Sequence, residues 1–396
     1  MLNMTNCDNI GDMRRFDVIC PCHFGLEAVL KREIQELGYE IARTEDGRVI
    51  FHGDPDAVVR ANLYLRTAER VLIDCAEFEA HSFDELFEGI KAVAWEAYIP
   101  RNGRFWVKKA SSVNSKLFSP RDIQAIVKKA MVDQLSGVYG ITHFEEDGDE
   151  YPIRIFINKD HVTVGLDTTG ASLHKRGYRP TSTEAPIAEN LAAALIMLTP
   201  WKAGRHFIDP FCGSGTFAIE AALMASNTAP GMHRHFTAEK WDNIIAGALW
   251  RDNTEEAFSL IKLDAECDIQ GYDIDADAVR IARGNAQRAG VADMIHFQAR
   301  PVSELSHHGK YGFVVTNPPY GERIGDMDEL PHIYREIGEA MKRMDTWSFY
   351  LITSYEDAER NIGRKASKNR KVYNGMLQTR YLLYPGPKPP VGKGIK

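Results

Sequence analysis

Hydrophobic positions recur along the N-terminal part of the chain with two periods, one typical of helices and one typical of strands. Apolar side chains at every third or fourth position of residues 25–37 predict an amphipathic helix, and the apolar run at residues 15–21 predicts a strand. The predicted elements are, in order, a strand (15–21), a helix (25–37), a hairpin (39–51), a helix (54–65) and a strand (70–78). This β-α-β-β-α-β order predicts a ferredoxin-like domain over residues 14–78.

A second α/β module is predicted over residues 79–169. Ser82 is placed to cap a helix over 82–96, with Glu85 at the capping-box position. The following elements are predicted as a strand (105–109), a helix (120–135) and a hairpin (153–166) that turns at Lys159 and Asp160. The module is therefore expected to be a compact α/β domain.

From residue 170 onward the pattern changes to helices alternating with short buried strands. Such alternation is typical of a parallel, doubly wound sheet, so we expect a Rossmann-like α/β domain over residues 170–396. Residues 227–267 lengthen the connection between two of its strands, and the sequence alone leaves the role of this insertion open.

Composition is consistent with a globular protein that works in the cytoplasm. Hydrophobic residues make up 44% of the 396 positions, which is enough for sizeable cores. No run of about 18 apolar residues is present, and the first 15 residues mix acidic, basic and amide side chains where a signal peptide is apolar. The six cysteines include no C-x-x-C pair, so we expect no metal site.

Positive charge is concentrated in two segments although the net charge of the chain is −7. Residues 101–135 contain eight Lys and Arg against two Asp, and residues 360–396 contain ten Lys and Arg and no acidic residue. These segments carry +6 and +10, which leaves −23 for the remainder. Each segment alone is more often a solvated face, but two of them favour a nucleic-acid partner.

Residues 206–216 form an apolar strand followed by the turn Asp-Pro-Phe-Cys-Gly-Ser-Gly-Thr and an alanine-rich helix. Glycines allow close approach of a ligand to the backbone, and the helix N-terminus offers free N–H groups. The string resembles motif I of the class I S-adenosylmethionine-dependent methyltransferases. The resemblance implies that the cofactor is S-adenosylmethionine and that it is contacted by Asp209, Pro210, Cys212, Gly213, Ser214, Gly215 and Thr216. We expect Cys212 to pack under the loop and not to act as a nucleophile.

The next strand ends in an acidic pair that resembles motif II of the same family. The resemblance implies that Asp273 holds the ribose hydroxyls beside Ile274, because a carboxylate offers paired acceptors, and Asp275 is the alternative. The third motif is atypical, since Pro301 stands where the family usually has an acidic residue. Adenine recognition is therefore expected from a backbone carbonyl or from Gln298.

The candidate catalytic motif follows the apolar strand at residues 312–316. Asn317, Pro318, Pro319 and Tyr320 are expected at the carboxyl edge of the sheet, where such folds bind ligands. An exocyclic base amine is a poor nucleophile, and hydrogen bonds to the Asn317 side-chain oxygen and the Pro318 carbonyl would stabilise its developing charge. Tyr320 is predicted to stack on a flipped-out base. No metal is required.

The extended motif Asn-Pro-Pro-Tyr-Gly-Glu-Arg (residues 317–323) resembles that of bacterial guanine-N2 RNA methyltransferases, the ribosomal large-subunit group with an N-terminal RNA-binding THUMP domain. The resemblance extends to residues 173–179, to residues 185–193 and to Tyr373-Asn374-Gly375. It implies that residues 79–169 form the THUMP domain, that Ala185 and Pro186 lie beside the cofactor, and that Glu322 faces either a guanine edge or Arg323.

The implied activity is methylation of guanosine N2 in RNA, with large-subunit ribosomal RNA favoured. Predicted RNA contacts are Lys108, Lys109, Lys128, Lys129, Lys175 and Arg176. The alternatives are a tRNA guanine-N2 methyltransferase, a DNA adenine-N6 methyltransferase, a protein-glutamine methyltransferase and a non-catalytic RNA-binding protein with this fold. No membrane association is expected, and the oligomeric state is left open.

Overall fold

The structure, a computed structural model, describes residues 15–180, 186–262, 264–320 and 327–390. The chain forms two compact units. The first comprises residues 15–22, 31–173 and 235–256, and the second comprises residues 23–30, 174–234 and 257–390. Among the described residues, no helix combines the length and the apolar character that a membrane crossing requires.

The first unit is built on one seven-stranded sheet with the order β2-β3-β1-β4-β7-β6-β5. Its strands are β1 (Phe16–Pro21), β2 (Ile41–Glu45), β3 (Arg48–Gly53), β4 (Leu72–Glu79), β5 (Arg104–Val113), β6 (Glu150–Asn158) and β7 (His161–Asp167). Strand β1 lies between β3 and β4 and is antiparallel to both, which confirms the ferredoxin-like arrangement. Because β4 also pairs with β7, the second module extends the same sheet.

The helices of this region begin where the sequence places capping residues. They are α1 (Glu27–Glu36), α2 (Pro55–Tyr64), α3 (Phe83–Lys91) and α4 (Pro120–Tyr139). Ser82 and Ser119 accept hydrogen bonds from backbone amides of α3 and α4, as expected of N-caps. Helix α3 ends earlier than the predicted residue 96, because Trp95 begins a separate 3-10 turn and is fully buried there.

The second unit contains a seven-stranded sheet with the order β10-β9-β8-β11-β12-β14-β13. Its strands are β8 (Phe207–Asp209), β9 (Ile269–Asp273), β10 (Ile295–Ala299), β11 (Phe313–Thr316), β12 (Ser348–Thr353), β13 (Lys368–Asn374) and β14 (Leu377–Tyr384). The first five strands of this order are parallel, β14 is antiparallel to β12, and β13 is antiparallel to β14. The predicted doubly wound sheet is therefore confirmed, with strand order reversing between β8 and β11.

Helices cover both faces of the second sheet. They are α5 (Glu189–Met197), α6 (Thr216–Ala225), α8 (Ala276–Arg288), α9 (Leu330–Arg343) and α10 (Ala358–Ile362). Helix α7 (Gly247–Ser259) belongs mostly to the first unit, which includes its residues 247–256. Helices α5, α6 and α8 contribute to one apolar core, and α9 contributes to a second. Because helices cover both faces of this sheet, side chains on both sides of its strands are buried, which explains the apolar runs in the strand sequences.

Part of the sequence insertion, residues 235–256, packs within the first unit. Trp241 is fully buried and stacks on Tyr151, with 5.0 Å between ring centroids. Its indole Nε1 donates a hydrogen bond of 2.9 Å to the Glu150 carbonyl, and Asn243 donates one of 2.8 Å to the Tyr98 carbonyl. The insertion is thus a structural segment of that unit.

Candidate active site

A cavity of about 610 Å³ opens at the carboxyl ends of β8, β9 and β11. Its wall is formed by residues 209–214, 273–274 and 317–320 from the loops that follow these strands, together with Pro186. This is the point where strand order reverses, which is where open α/β sheets bind ligands. The predicted cofactor loop and the predicted catalytic loop thus face one cavity.

Two left-handed glycines shape the loop after β8. Gly213 has φ 50° and Gly215 has φ 89°, a region that residues with a Cβ seldom adopt. A Cβ at Gly215 would also lie 3.0 Å from the Ala282 side chain. The buried Asn285 donates a hydrogen bond of 2.8 Å to the Ser214 carbonyl and fixes the loop against α8. Cys212 is buried, and burial raises the pKa of its thiol well above the usual value.

The structure separates the roles of the two aspartates after β9. Asp273 lines the cavity and accepts hydrogen bonds from the amides of Gly213 (2.8 Å) and Asp275 (3.0 Å). Asp275 is the N-cap of α8 and accepts from the Asp277 amide at 2.8 Å. Each Asp273 oxygen keeps further acceptor capacity toward the cavity.

Asp209 is a buried carboxylic acid between the two loops. Its Oδ1 accepts a hydrogen bond of 2.6 Å from the Thr316 hydroxyl and one of 3.2 Å from the Phe211 amide. Burial raises the pKa of Asp209 to about 7, a shift that these hydrogen bonds oppose and the nearby charge of Asp273 reinforces. The group is therefore poised to change charge near neutral pH.

Asn317 presents an unused hydrogen-bond acceptor at the cavity. Its Oδ1 atom is buried and has no hydrogen-bond partner among the residues that the structure describes. A buried carbonyl oxygen without a donor costs free energy, so a bound group that donates a hydrogen bond to it would be stabilised. The side chain is thus suited to accept a hydrogen bond from a bound substrate.

The remainder of the catalytic loop is held from two sides. The Tyr334 hydroxyl donates a hydrogen bond of 3.2 Å to the Pro319 carbonyl, and the Asn374 amide donates one of 3.0 Å to the Tyr320 hydroxyl. Tyr320 is only 2% exposed, so its ring forms part of the cavity wall. The sequence did not indicate these supporting roles for Tyr334 or Asn374, although Asn374 belongs to the Tyr373-Asn374-Gly375 segment that resembles the family.

An arginine whose side chain is 11% exposed organises the segment before α5. Arg179 donates hydrogen bonds to the Ile187 carbonyl (3.0 Å) and the Thr216 hydroxyl (2.9 Å), and it forms an ion pair with Glu189 at 2.8 Å. These contacts hold Pro186 against the cavity. The neighbouring Ala185 and the Gly321-Glu322-Arg323 extension lie outside the described residues.

The cavity lining bears on the two alternatives considered for adenine recognition, a backbone carbonyl and Gln298. Pro301, Val302 and Ser303 line the cavity, while Gln298 is not among the described lining residues. Backbone groups of residues 301–303 are therefore the better placed candidates for contact with an adenine edge.

The four lysines predicted to contact phosphate fall into two classes. Lys108 donates to the Gly170 carbonyl (3.2 Å) near Asp167, and Lys128 pairs with Glu146 at 2.5 Å above the Phe105 ring. Both ammonium groups thus have partners within the first unit. Lys109 and Lys129 are exposed and form no salt bridge among the described residues, which leaves them as the better candidates for phosphate contact.

The two residues predicted for RNA contact in the second unit also differ. Lys175 is exposed, whereas Arg176 is 4% exposed and lies 3.5 Å from the Glu220 carboxylate. A guanidinium buried in this way has little surface left for a phosphate. We therefore leave Arg176 out of the proposed RNA surface.

One described cluster has the composition of a metal site: His206, Asp268 and His307. Their hydrogen bonds satisfy one another. The Gly309 amide donates to Nδ1 of His307 at 2.9 Å, so the other ring nitrogen carries the hydrogen and donates to Asp268 at 3.0 Å. Burial lowers the pKa of His307, which favours this neutral form, and the cluster requires no ion.

Comparison with known protein families finds three matching regions. Residues 176–382 match the RMKL-like methyltransferase domain, residues 17–72 match the RlmL ferredoxin-like domain and residues 80–167 match the THUMP domain. The predicted resemblance and fold class are confirmed. The THUMP match explains the sequence change near residue 170.

Two curated relatives cover almost all of this chain. One is YpsC of Bacillus subtilis, named as a candidate RNA methyltransferase, which is 45% identical over 94% of this chain and 96% of its own length. The other is the ribosomal RNA large subunit methyltransferase K/L of Marinobacter nauticus, 33% identical over 93% of this chain. The match spans only 52% of that longer protein.

Two solved structures share the fold over nearly the whole chain. SMU.472, a candidate methyltransferase complexed with S-adenosylhomocysteine, has a TM-score of 0.89 and 40% identity, covering 94% of this chain and 99% of its own. A Listeria monocytogenes protein named as a predicted N6-adenine-specific DNA methylase has a TM-score of 0.89 and 46% identity, covering 94% and 97%. The product bound in the first supports S-adenosylmethionine as the cofactor.

Proposed function

The chain belongs to the family with the RMKL-like methyltransferase domain, and on that premise we propose that it methylates the N2 amine of a guanosine in RNA. Large-subunit ribosomal RNA is the favoured substrate. The THUMP match and the names of the two curated relatives support RNA as the substrate class.

The observation that carries the proposal is the unpaired Oδ1 atom of Asn317. The amine must become more nucleophilic as its nitrogen turns tetrahedral, and a fixed acceptor stabilises the positive charge that develops there. Pro318 and Pro319 stiffen the loop and have no N–H groups that would compete for this oxygen. A hydrogen-bond acceptor that is already fixed in place can assist methylation of an amine without a metal or a strong base.

The residues around the cavity fit S-adenosylmethionine, which supplies an electrophilic methyl group when bound. Asp273 would hold the ribose hydroxyls, and the Gly213 loop with Asp209 would hold the methionine end. Ile274 and residues 301–303 would enclose the adenine. Tyr320 forms the wall beside Asn317, where it would orient the target base.

Guanine is favoured by the Asn-Pro-Pro-Tyr-Gly-Glu-Arg motif. Adenine N6 is the competing target, because the Listeria relative carries a DNA adenine methylase name. An amide oxygen accepts equally from either exocyclic amine, so the described geometry favours amine methylation and the motif favours guanine.

The decisive experiment identifies the methylated nucleoside. Unmodified large-subunit ribosomal RNA, tRNA and double-stranded DNA are incubated separately with the protein and methyl-labelled S-adenosylmethionine, then digested and analysed by mass spectrometry. We expect N2-methylguanosine in the ribosomal RNA. Label in N6-methyladenine would refute guanine specificity, and label mainly in tRNA would refute the favoured substrate.

Asn317→Ala supplies the matched control for this experiment. It should bind S-adenosylhomocysteine like the unmodified protein, because Asn317 acts on the substrate amine. A product that persists at full rate with Asn317→Ala would show that the unpaired oxygen is not the catalytic group.

A further inference from the structure

An exposed apolar surface lies beside the catalytic loop in the second unit. The β13–β14 hairpin turns at residues 375–376. Its end (residues 373–377, here called the hairpin tip) presents Met376, which is fully exposed, and Leu377, which is 39% exposed. Phe24 is 50% exposed and meets Tyr373 edge to face, with 6.3 Å between ring centroids. A contiguous exposed apolar patch, unlike single scattered residues, marks a binding surface.

Phe24 is held in this position by specific backbone contacts. The following residue, Gly25, has φ 84°, which turns the chain sharply after Phe24. The Arg370 guanidinium, on β13, donates a hydrogen bond of 3.1 Å to the Gly25 carbonyl. The aromatic ring is therefore fixed against the hairpin and exposed because of its local backbone conformation.

The hairpin tip is directly connected to the catalytic loop. Asn374, buried within the tip, donates its side-chain hydrogen bond to the hydroxyl of Tyr320. Phe24 and Tyr373 are thus near the wall of the cavity that we propose receives the target base. A nucleotide next to that base would pass over this surface.

The charge around the hairpin tip is positive. Strands β13 and β14 carry Lys368, Arg370, Lys371 and Arg380, in a segment from residue 360 onward with no acidic residue. The Lys371 ammonium lies 5.2 Å from the centroid of the Tyr373 ring. Tyr373 is half-buried and Phe24 is exposed. Positive charge beside accessible aromatic rings is the combination that binds single-stranded nucleic acid, through phosphate attraction and base stacking.

From these observations we propose that Phe24 and the hairpin tip form a stacking surface for the unpaired RNA nucleotides that flank the target base. The proposal rests on the proposed function, since it takes the RNA strand as the occupant. A base stacked on Phe24 or Tyr373 would hold the strand while the neighbouring nucleotide enters the cavity. We take RNA as the occupant because the hairpin is basic and carries no acidic residue that would repel phosphate. A protein partner would not require this distribution of charge.

The test compares Phe24→Ala with Phe24→Tyr, which keeps the ring. Phe258→Ala is the matched control, because Phe258 belongs to the same unit and is 49% exposed. Binding of a single-stranded oligoribonucleotide containing 2-aminopurine is measured by fluorescence. We expect about 10-fold to 100-fold weaker binding for Phe24→Ala and near-normal binding for Phe24→Tyr and Phe258→Ala.

Further measurements distinguish misfolding of a variant from failure of the stacking proposal and from failure of the proposed function. Affinity for S-adenosylhomocysteine, measured by calorimetry, should be unchanged in all three variants, which shows that each is folded. Equal oligonucleotide affinity for Phe24→Ala and the unmodified protein, or no binding by the unmodified protein, overturns the proposal. A Phe24→Ala defect that appears only with ribonucleoprotein substrate also overturns it, in favour of a protein partner. Product analysis tests guanosine methylation independently, since the binding assay requires no methyl transfer.

Discussion

Replacing Asp273 tests the proposed cofactor site more directly than any other single change. Asp273 lines the cavity, while Asp275, two residues later, caps α8. The pair therefore offers a matched comparison between two carboxylates in one loop. Asp273→Ala should weaken binding of S-adenosylhomocysteine, and Asp275→Ala should not.

The size of the effect follows from the hydrogen bonds that Asp273 makes. Each of its oxygens already accepts one backbone N–H, from Gly213 and Asp275, and retains capacity for one ribose hydroxyl. A hydrogen bond to a charged group contributes about 1.5–3 kcal/mol net, so Asp273→Ala should cost at least that much in binding. This corresponds to roughly 10-fold to 150-fold in Kd. Asp273→Asn, which keeps one oxygen acceptor, should give an intermediate loss.

Isothermal titration calorimetry with S-adenosylhomocysteine measures these affinities, and thermal unfolding of the free protein monitors stability. Loss of a helix N-cap costs about 1 kcal/mol, so Asp275→Ala should lower the unfolding temperature without changing Kd. The reasoning fails if Asp275→Ala loses more affinity than Asp273→Ala, because the ribose would then be held by the capping residue.

Three further predictions address catalysis, pH dependence and RNA binding. Asn317→Ala should lower turnover by roughly 100-fold or more, with Kd for S-adenosylhomocysteine unchanged, and equal losses in both would show that the loop is structural. Burial raises the pKa of Asp209 to about 7, so its carboxyl is neutral below that pH and negatively charged above it. The affinity for S-adenosylmethionine, whose sulfonium group is positive, should therefore rise as the pH increases from about 6 to 8. Calorimetry across this range should find no such rise for Asp209→Asn. Replacing Lys109 and Lys129 with Ala should flatten the salt dependence of RNA binding by up to about one log unit per lost contact, whereas identical slopes for the variant and the unmodified protein would exclude these lysines.

The main features of the fold could be predicted because hydrophobic period and turn residues agree locally. The β6–β7 hairpin turns at Lys159 and Asp160, which adopt φ values of 53° and 65° in the structure. The glycine-rich turn after β8 could also be predicted, because a left-handed backbone favours glycine at positions 213 and 215. Both turns are determined by residues that are adjacent along the chain, so a single sequence is sufficient to predict them.

The individual roles of polar residues could not be predicted in the same way. Asp273 and Asp275 are equivalent in sequence, and only the backbone path shows that one faces the cavity and the other caps a helix. Lys108 and Lys109 are adjacent and both exposed, yet the Lys108 ammonium donates a hydrogen bond to the Gly170 carbonyl beside Asp167. Charge counts describe a segment, whereas phosphate contact depends on where each side chain points.

Residues 235–256 show that position in the sequence and membership of a compact unit are different properties. The segment lies within the family match for the methyltransferase domain, yet it packs in the first unit, where the buried Trp241 stacks on Tyr151. On α2, Arg60 donates a hydrogen bond of 3.1 Å to the Asn253 side chain, which in turn donates one of 2.7 Å to Asp56. The segment therefore has partners on both a helix and a strand of that unit. A fragment cut near residue 170 would remove these partners and expose the Trp241 indole and the Asn253 amide. Measurements of RNA binding and methyl transfer should therefore use the full chain with point substitutions, since a truncated chain would combine loss of the THUMP domain with loss of this packing.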